Sequence, residues 1–295
     1  MHLLAIVPPV ARPSPQTERV VTLVEHLAAH PDQSLTLAAA TRLLDVNKST
    51  CHATLAALGA AGWLLRDPFT KAYRLGPALA SVGRAAATGY PALEFARGAM
   101  ATLSREAAAN CAALAIEGDV AIVLEQTRDL RALGPGLDVS VPIPLRAPLG
   151  SGVVAWGSPE AQVEWLDRIP TATRPHHEAV LDATRARRYS VELATPPEAQ
   201  LRDTVARHGN PGAGMSELLV DLADQLAGRD DFLPVDLDPA RSYLVSTMNA
   251  PVFLDGEVTL LLSLNAFSSP LSGEQIDAIG ARIVSACETV TASLG

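Results

Sequence analysis

The sequence is short of lysine, of patterned cysteine and of long apolar runs. Only two lysines occur in 295 residues, Lys48 and Lys71. The three cysteines, Cys51, Cys111 and Cys287, are widely spaced and free of CxxC or Cys/His ligand spacing. Neither a disulfide framework nor a metal site is expected from them, and a reducing, cytoplasmic setting suits them. No apolar run approaches the ~20 residues of a membrane span, so no membrane partner is expected. The opening MHLLAIVPP has no basic flank and is broken by Pro8 and Pro9, which does not suit a secretory signal. Residues 1–16 read instead as a disordered, proline-rich arm.

The charge that is present lies unevenly. Residues 1–90 hold eight Lys and Arg against five Asp and Glu, a balance of +3, so the remainder carries −12 to reach the net −9. A small basic piece joined to an acidic body is the pattern of a nucleic-acid-binding part attached to something else. The length allows two ordinary domains.

Along the chain, Val20, Leu23, Val24 and Leu27 repeat at helical spacing from Thr17, and Pro31 and Asp32 stop that helix. A second short helix follows from Thr36. Asn47 is a good N-cap for a third, because its side-chain oxygen can accept from the free amides of the first turn. Within it Cys51, Leu55 and Leu58 share the core face, and Lys48, Ser49, His52 and Ala53 share the opposite one. Two strand-like runs, Trp63–Arg66 and Ala72–Leu75, flank a turn-rich loop. Three helices and a hairpin make a winged helix-turn-helix over Thr17–Gly76. Residues 77–105 read as a linker helix, apart from Gly89 and Pro91.

Residues 106–295 form a mixed α/β (α+β) domain. Strands are predicted at residues 112–116, 120–125, 139–142, 189–193, 243–248, 251–254 and 258–264. Helices alternate with them at 152–156, 159–167, 177–187 and 273–294. Residues 195–242 read as an insertion with one helix near Ser216–Ala227, of a length that is often functional or mobile. Catalysis finds little support: Leu149 and Val153 stand where a G-x-S-x-G turn around Ser151 needs glycine. A glycine-rich turn there offers backbone N–H groups to a carboxylate instead. His176 and His177 diverge on a helix and are expected to be a surface pair rather than metal ligands.

The run KSTCHATLAALGAAGWLLRDPFTKAYRLGPALASVG at residues 48–83 resembles the DNA-binding half of the IclR family of bacterial transcriptional regulators. The segments PLRAPLGSGVVAW, RARRYSVEL and MNAPVFLDGEVTLLLSLNA are similar to that family's effector loop and late strands. Ala53 departs from the pattern, which carries Arg after the His. The resemblance implies a winged helix, a linker helix and a GAF-like effector domain in a ligand-responsive regulator of double-stranded DNA. A homodimer or homotetramer is implied with it, and neither cofactor nor catalytic residue. Ser49, Thr50 and His52 are then expected in the major groove, with Lys48, Arg66, Lys71 and Arg74 on phosphates.

The family's effector pocket maps onto Gly150, Ser151, Glu192, Thr247, Ser263 and Asn265. Ser263 and Asn265 share a strand face by alternation, and Asn249, two residues from Thr247, joins them. A small organic acid is the expected effector. Two other readings stay open at this point: an α/β enzyme with a helical appendage, and a winged-helix protein-interaction module that has lost DNA binding.

Overall fold

The computed structural model describes residues 14–30, 33–87, 89–133, 142–201 and 214–295. It divides near Tyr90 into two compact units.

In the first unit, α1 (Pro15–Ala29) starts two residues before the position expected from apolar periodicity. Pro15 has no N–H to leave unbonded and its fixed φ suits a first helical turn. Residues 15 and 16 are therefore helical rather than part of an arm, and residues 1–13 lie outside the described residues. Thr36 caps α2 (Leu37–Leu43) by accepting from Ala39 N at 3.2 Å, and Asn47 caps α3 (Lys48–Ala60) by accepting from Thr50 N at 2.9 Å. β1 (Leu64–Arg66) pairs antiparallel with β2 (Tyr73–Leu75), and Leu35 bridges to Tyr73 from the other side. Leu23, Leu27, Ala40, Leu44, Cys51, Leu55, Leu58, Leu64 and Tyr73 form one buried core.

Glycine is required at the base of the wing. Gly62 turns the chain at φ 71°, and a Cβ on Gly76 would lie 2.1 Å from the Gly62 carbonyl oxygen. The expected single linker helix over 77–105 is two helices, α4 (Ala78–Ala87) and α5 (Pro91–Ala107). The break falls at Gly89–Pro91, where proline sets the start of α5.

The second unit is built on a six-stranded antiparallel sheet, order β5-β4-β3-β9-β8-β6. Its strands are β3 (Asn110–Glu117), β4 (Val120–Thr127), β5 (Pro142–Pro144), β6 (Ser190–Leu193), β8 (Val245–Leu254) and β9 (Glu257–Asn265). A separate pair joins β7 (Ser242–Tyr243) to β10 (Leu271–Ser272). The strand expected at 139–142 lies mostly outside the described residues. The two strands expected at 243–248 and 251–254 are largely one, β8, which runs through Pro251. β6 covers β8 only as far as Asn249, so at Pro251 the strand is an edge, where a residue lacking N–H is tolerated.

One sheet face is apolar, with Cys111, Ala113, Met248, Ala250, Val252, Leu262 and Leu264 buried on it. α5 and α10 (Gly273–Leu294) pack on this side; Ser272 and Gln275 close a capping box at the start of α10. Here Gly280 has no room for a side chain, since a Cβ would come within 2.3 Å of the Tyr189 ring. Elsewhere α6 (Ser151–Val154), α7 (Pro159–Leu166), α8 (Arg174–Arg187) and α9 (Gly214–Leu226) belong to a second cluster containing Trp165, Leu166, Val180, Leu181, Leu222, Leu226, Phe232 and Leu233. The described part of the 195–242 insertion thus supplies core: Leu226 and Phe232 are fully buried.

Candidate functional site

The exposed surface of the winged unit concentrates cations. Lys48, Arg66 and Lys71 line a groove of about 540 Å³ together with Thr36, Leu37, Ala38, Thr41 and Thr70. The wing tip is held rigidly. The Asp67 carboxylate accepts from the amides of Phe69 (2.8 Å) and Thr70 (2.7 Å), and these bonds, Thr70 first, hold its pKa below the ordinary value. Lys71 takes a left-handed φ of 59° and its ammonium donates to the Pro68 carbonyl. Arg66 lies over the Tyr73 ring, 5.7 Å from its centroid. Arg74, on β2, is exposed too, but it stands opposite Leu65 and so on the other face of the hairpin from Arg66.

On α3, Lys48, Ser49, His52 and Ala53 are exposed and Thr50 is half-buried. Ser49 donates its hydroxyl to Asn47 Oδ1 at 2.7 Å, which ties it to the helix cap. The wing-tip Phe69, 91% exposed, was not anticipated; an aromatic inside a turn-rich loop gives no periodic signal.

The second candidate site is the other face of the sheet. Register sets Glu192 opposite Thr247, Thr247 opposite Asn265, and Asn265 opposite Asn110. The next row along sets Ser190 opposite Asn249, Asn249 opposite Ser263, Ser263 opposite Ala112, and Ala112 opposite Gln126. Because side chains two apart on a strand share a face, these two polar rows lie side by side. Beyond them the face becomes apolar through Leu114, Val123 and Leu261, packed by Leu145 and Val153. Five of the seven expected effector residues, Glu192, Thr247, Asn249, Ser263 and Asn265, are thus brought together by register.

Gly150 and Ser151 stand at the start of α6, which packs against β8 and β9. Gly150 has φ 82°, and a Cβ on Gly152 would lie 2.7 Å from Ser190 Oγ, so α6 meets the polar rows closely. Asn110, Ser190 and Glu198 belong to this cluster and were missed. Ser190 and Glu192 alternate about Val191, a signal that was present. The pairing of Asn110 with Asn265 depends on a register no local pattern records.

The bonding within the cluster is uneven. Asn249 Nδ2 donates to Ser190 Oγ and to Thr247 Oγ1, each at 3.2 Å, and Thr247 Oγ1 donates to Glu192 Oε2 at 2.7 Å. Among the described residues Asn265, 4% exposed, has neither amide atom hydrogen-bonded, and Asn110 Nδ2 and Ser151 Oγ are likewise buried and unpaired. A buried polar atom left dry costs about 1–3 kcal/mol, so such atoms normally meet a partner. Burial, opposed by the Thr247 hydroxyl and reinforced by the Glu198 charge, pushes the Glu192 carboxyl up to about 7. Arg146, two residues past β5, is engaged by Asp224 of α9 at 2.7 and 3.0 Å.

The expected surface histidine pair is not at the surface. His177 is fully buried with Nδ1 bonded to the Thr173 carbonyl, and His176 Nε2 bonds to the Leu233 carbonyl, because Phe232 and Leu233 cover α8. Among the described residues no three His, Cys, Asp or Glu are grouped to hold a metal, and no helix is long and apolar enough to cross a membrane.

No family model matches the sequence, and no curated protein does. Solved structures do match. The IclR transcriptional regulator of Alicyclobacillus acidocaldarius is similar over 96% of this chain and 100% of its own, at 18% identity and a TM-score of 0.62. The Thermotoga maritima IclR covers 95% of this chain and 98% of its own, at 11% identity and 0.66. An IclR homolog of Microbacterium hydrocarbonoxydans, complexed with 4-hydroxybenzoate, does so at 16% identity and 0.60. Along nearly its whole length the chain therefore has the fold of the IclR transcriptional regulators.

Proposed function

We propose that this protein is a cytoplasmic transcriptional regulator that binds duplex DNA through its winged unit and a small molecule on the polar face of the sheet. The observation that carries the reading is the set of buried polar atoms without a hydrogen-bond partner among the described residues at Asn265, Asn110 and Ser151, gathered at the polar face of the sheet, whereas the others of this kind, Trp156 Nε1, His177 Nε2 and Thr184 Oγ1, lie off the sheet in the segments of α6 and α8. The Microbacterium homolog is complexed with 4-hydroxybenzoate, and a small organic acid is the effector class proposed here.

For DNA, Lys48, Arg66, Lys71 and Arg74 are the proposed phosphate contacts, with Ser49, Thr50 and His52 facing bases. One copy is a weak binder: each neutralised phosphate contributes roughly −0.9 to the log-log salt slope, so two copies reach about −7. We therefore propose a dimer or a dimer of dimers. α4 supports this, since Val82 remains 48% exposed on a helix of small residues. Titrating labelled random duplex with the full chain at two salt concentrations tests the reading. A steep slope is expected, and a flat one would leave only an enzyme or a protein-interaction module.

A further inference from the structure

The tip of the wing holds an aromatic ring in the open. Of the five phenylalanines, Phe232 and Phe267 are buried and Phe95 is half exposed, whereas Phe69 is 91% exposed. A single apolar side chain at a surface is ordinary, but the backbone that carries this one is fixed. Four hydrogen bonds meet at Asp67. Its N–H donates to the Ala72 carbonyl at 2.8 Å, its carbonyl accepts from Lys71 N at 3.0 Å, and its carboxylate accepts from the amides of Phe69 and Thr70. Little backbone freedom is therefore left to lose when something binds the ring.

The neighbours of the ring indicate what that partner is. Over residues 47–76 four cations, Lys48, Arg66, Lys71 and Arg74, stand against a single carboxylate, Asp67, which is turned to its own backbone amides. Three of the four line one groove, Lys48 from the start of α3 and Arg66 and Lys71 from the wing. A polyanion fits that groove. An acidic protein surface would satisfy the cations alone, while a nucleic acid also offers the flat faces of its bases to the ring. With α3 in the major groove, a line of phosphates runs between α3 and the wing, and the groove beyond that line is the minor one. An apolar wedge that enters there partly unstacks a base step, most easily at the flexible pyrimidine–purine steps.

We infer that Phe69 inserts its ring at a base step of the minor groove next to the bases that α3 faces, and so adds a preference for a deformable step where no hydrogen bond reads sequence. This goes beyond the proposed phosphate and base contacts and rests on the DNA-binding reading. The ring carries no charge. Its removal therefore changes affinity and step preference without changing the number of counterions released.

The full chain and its Phe69→Leu and Phe69→Ala variants are titrated by anisotropy, at several salt concentrations, against two labelled duplexes of equal length and base composition. One alternates TA, and the other is a stiff A-tract. The wild type is expected to bind the alternating duplex about tenfold more tightly, Phe69→Leu to keep most of that preference as a smaller wedge, and Phe69→Ala to lose it, all with one salt slope. Because Phe69 is exposed, neither substitution should move the melting temperature, which separates a lost contact from a lost fold. A wild type without the preference, or a Phe69→Ala variant that keeps it, overturns the wedge and leaves the DNA-binding reading standing. A shallower slope in Phe69→Ala overturns it as well, since the tip would then be positioning a phosphate contact. A flat slope in the wild type removes the DNA-binding reading and this inference together, and leaves an acidic protein surface as the partner of the cationic wing.

Discussion

Replacing Asn265 with leucine is expected to stabilise the free protein and to blind it to its effector. Asn265 is 4% exposed, and both atoms of its amide are unpaired among the described residues. Each such atom costs about 1–3 kcal/mol, and leucine removes both while adding bulk that costs about 1–3 kcal/mol in a packed site. The net expectation is about 2 kcal/mol of added stability. At about 2–4 °C per kcal/mol for a domain of this size, the melting temperature of the free protein rises by about 4–8 °C. For the wild type, an effector at 100 times its dissociation constant adds ~2.7 kcal/mol, and in the variant this increment disappears. Thermal melts of both proteins, with and without a panel of aliphatic and aromatic acids, read the two effects together. A variant that melts lower than wild type would show that the Asn265 amide is partnered after all, and an undiminished ligand shift would place the effector elsewhere.

Lys71→Ala should weaken binding to all DNA sequences alike and flatten the salt slope by about 0.9 per copy, measured by anisotropy; a changed base preference with an unchanged slope would contradict the phosphate role. Glu192 holds its proton in the folded state up to about pH 7, against an ordinary value of 4.5. The folded state therefore binds the extra proton across that window, so stability falls as pH rises through it, by an amount on the order of 3 kcal/mol. Glu192→Gln should flatten that part of a urea-denaturation pH profile, and an unchanged profile would refute the assignment. Asp129, held down to about 2 by Arg131, acts only at lower pH. Gly280→Ala should destabilise the second unit by about 1–3 kcal/mol, since the Tyr189 ring it strikes is fixed by a 2.7 Å bond to Asp277; an unchanged melting temperature would show that the ring gives way.

The winged unit was legible because its determinants are local. Asn47 caps the helix that its position predicts, and Cys51, Leu55 and Leu58 face the core as their spacing requires. The alternation in β9 placed Ser263 and Asn265 on one face, and the structure adds what they face. Asn110 could not be found that way, because its partner lies 155 residues on and only strand register joins them. The insertion misled for a related reason. Its Pro, Gly and Asp content reads as loop, yet Phe232 and Leu233 bury fully and cover the histidines of α8. The split of the linker helix was written in Gly89 and Pro91, residues that outweigh the alanines around them.

The polar rows draw their members from β3, β6, β8 and β9, so a molecule seated there is a clasp across strands that meet only late in the chain. Contacts of such large sequence separation are the slow ones to form. An occupant bound to Glu192, Asn265 and Asn110 together adds contacts that are lost when those strands part, so occupancy should slow hydrogen exchange most at the centre of the sheet, in β9 and β3, and least at the wing. In that sense the effector would act less as a key in a lock than as a staple across strands that the chain brings together from far apart.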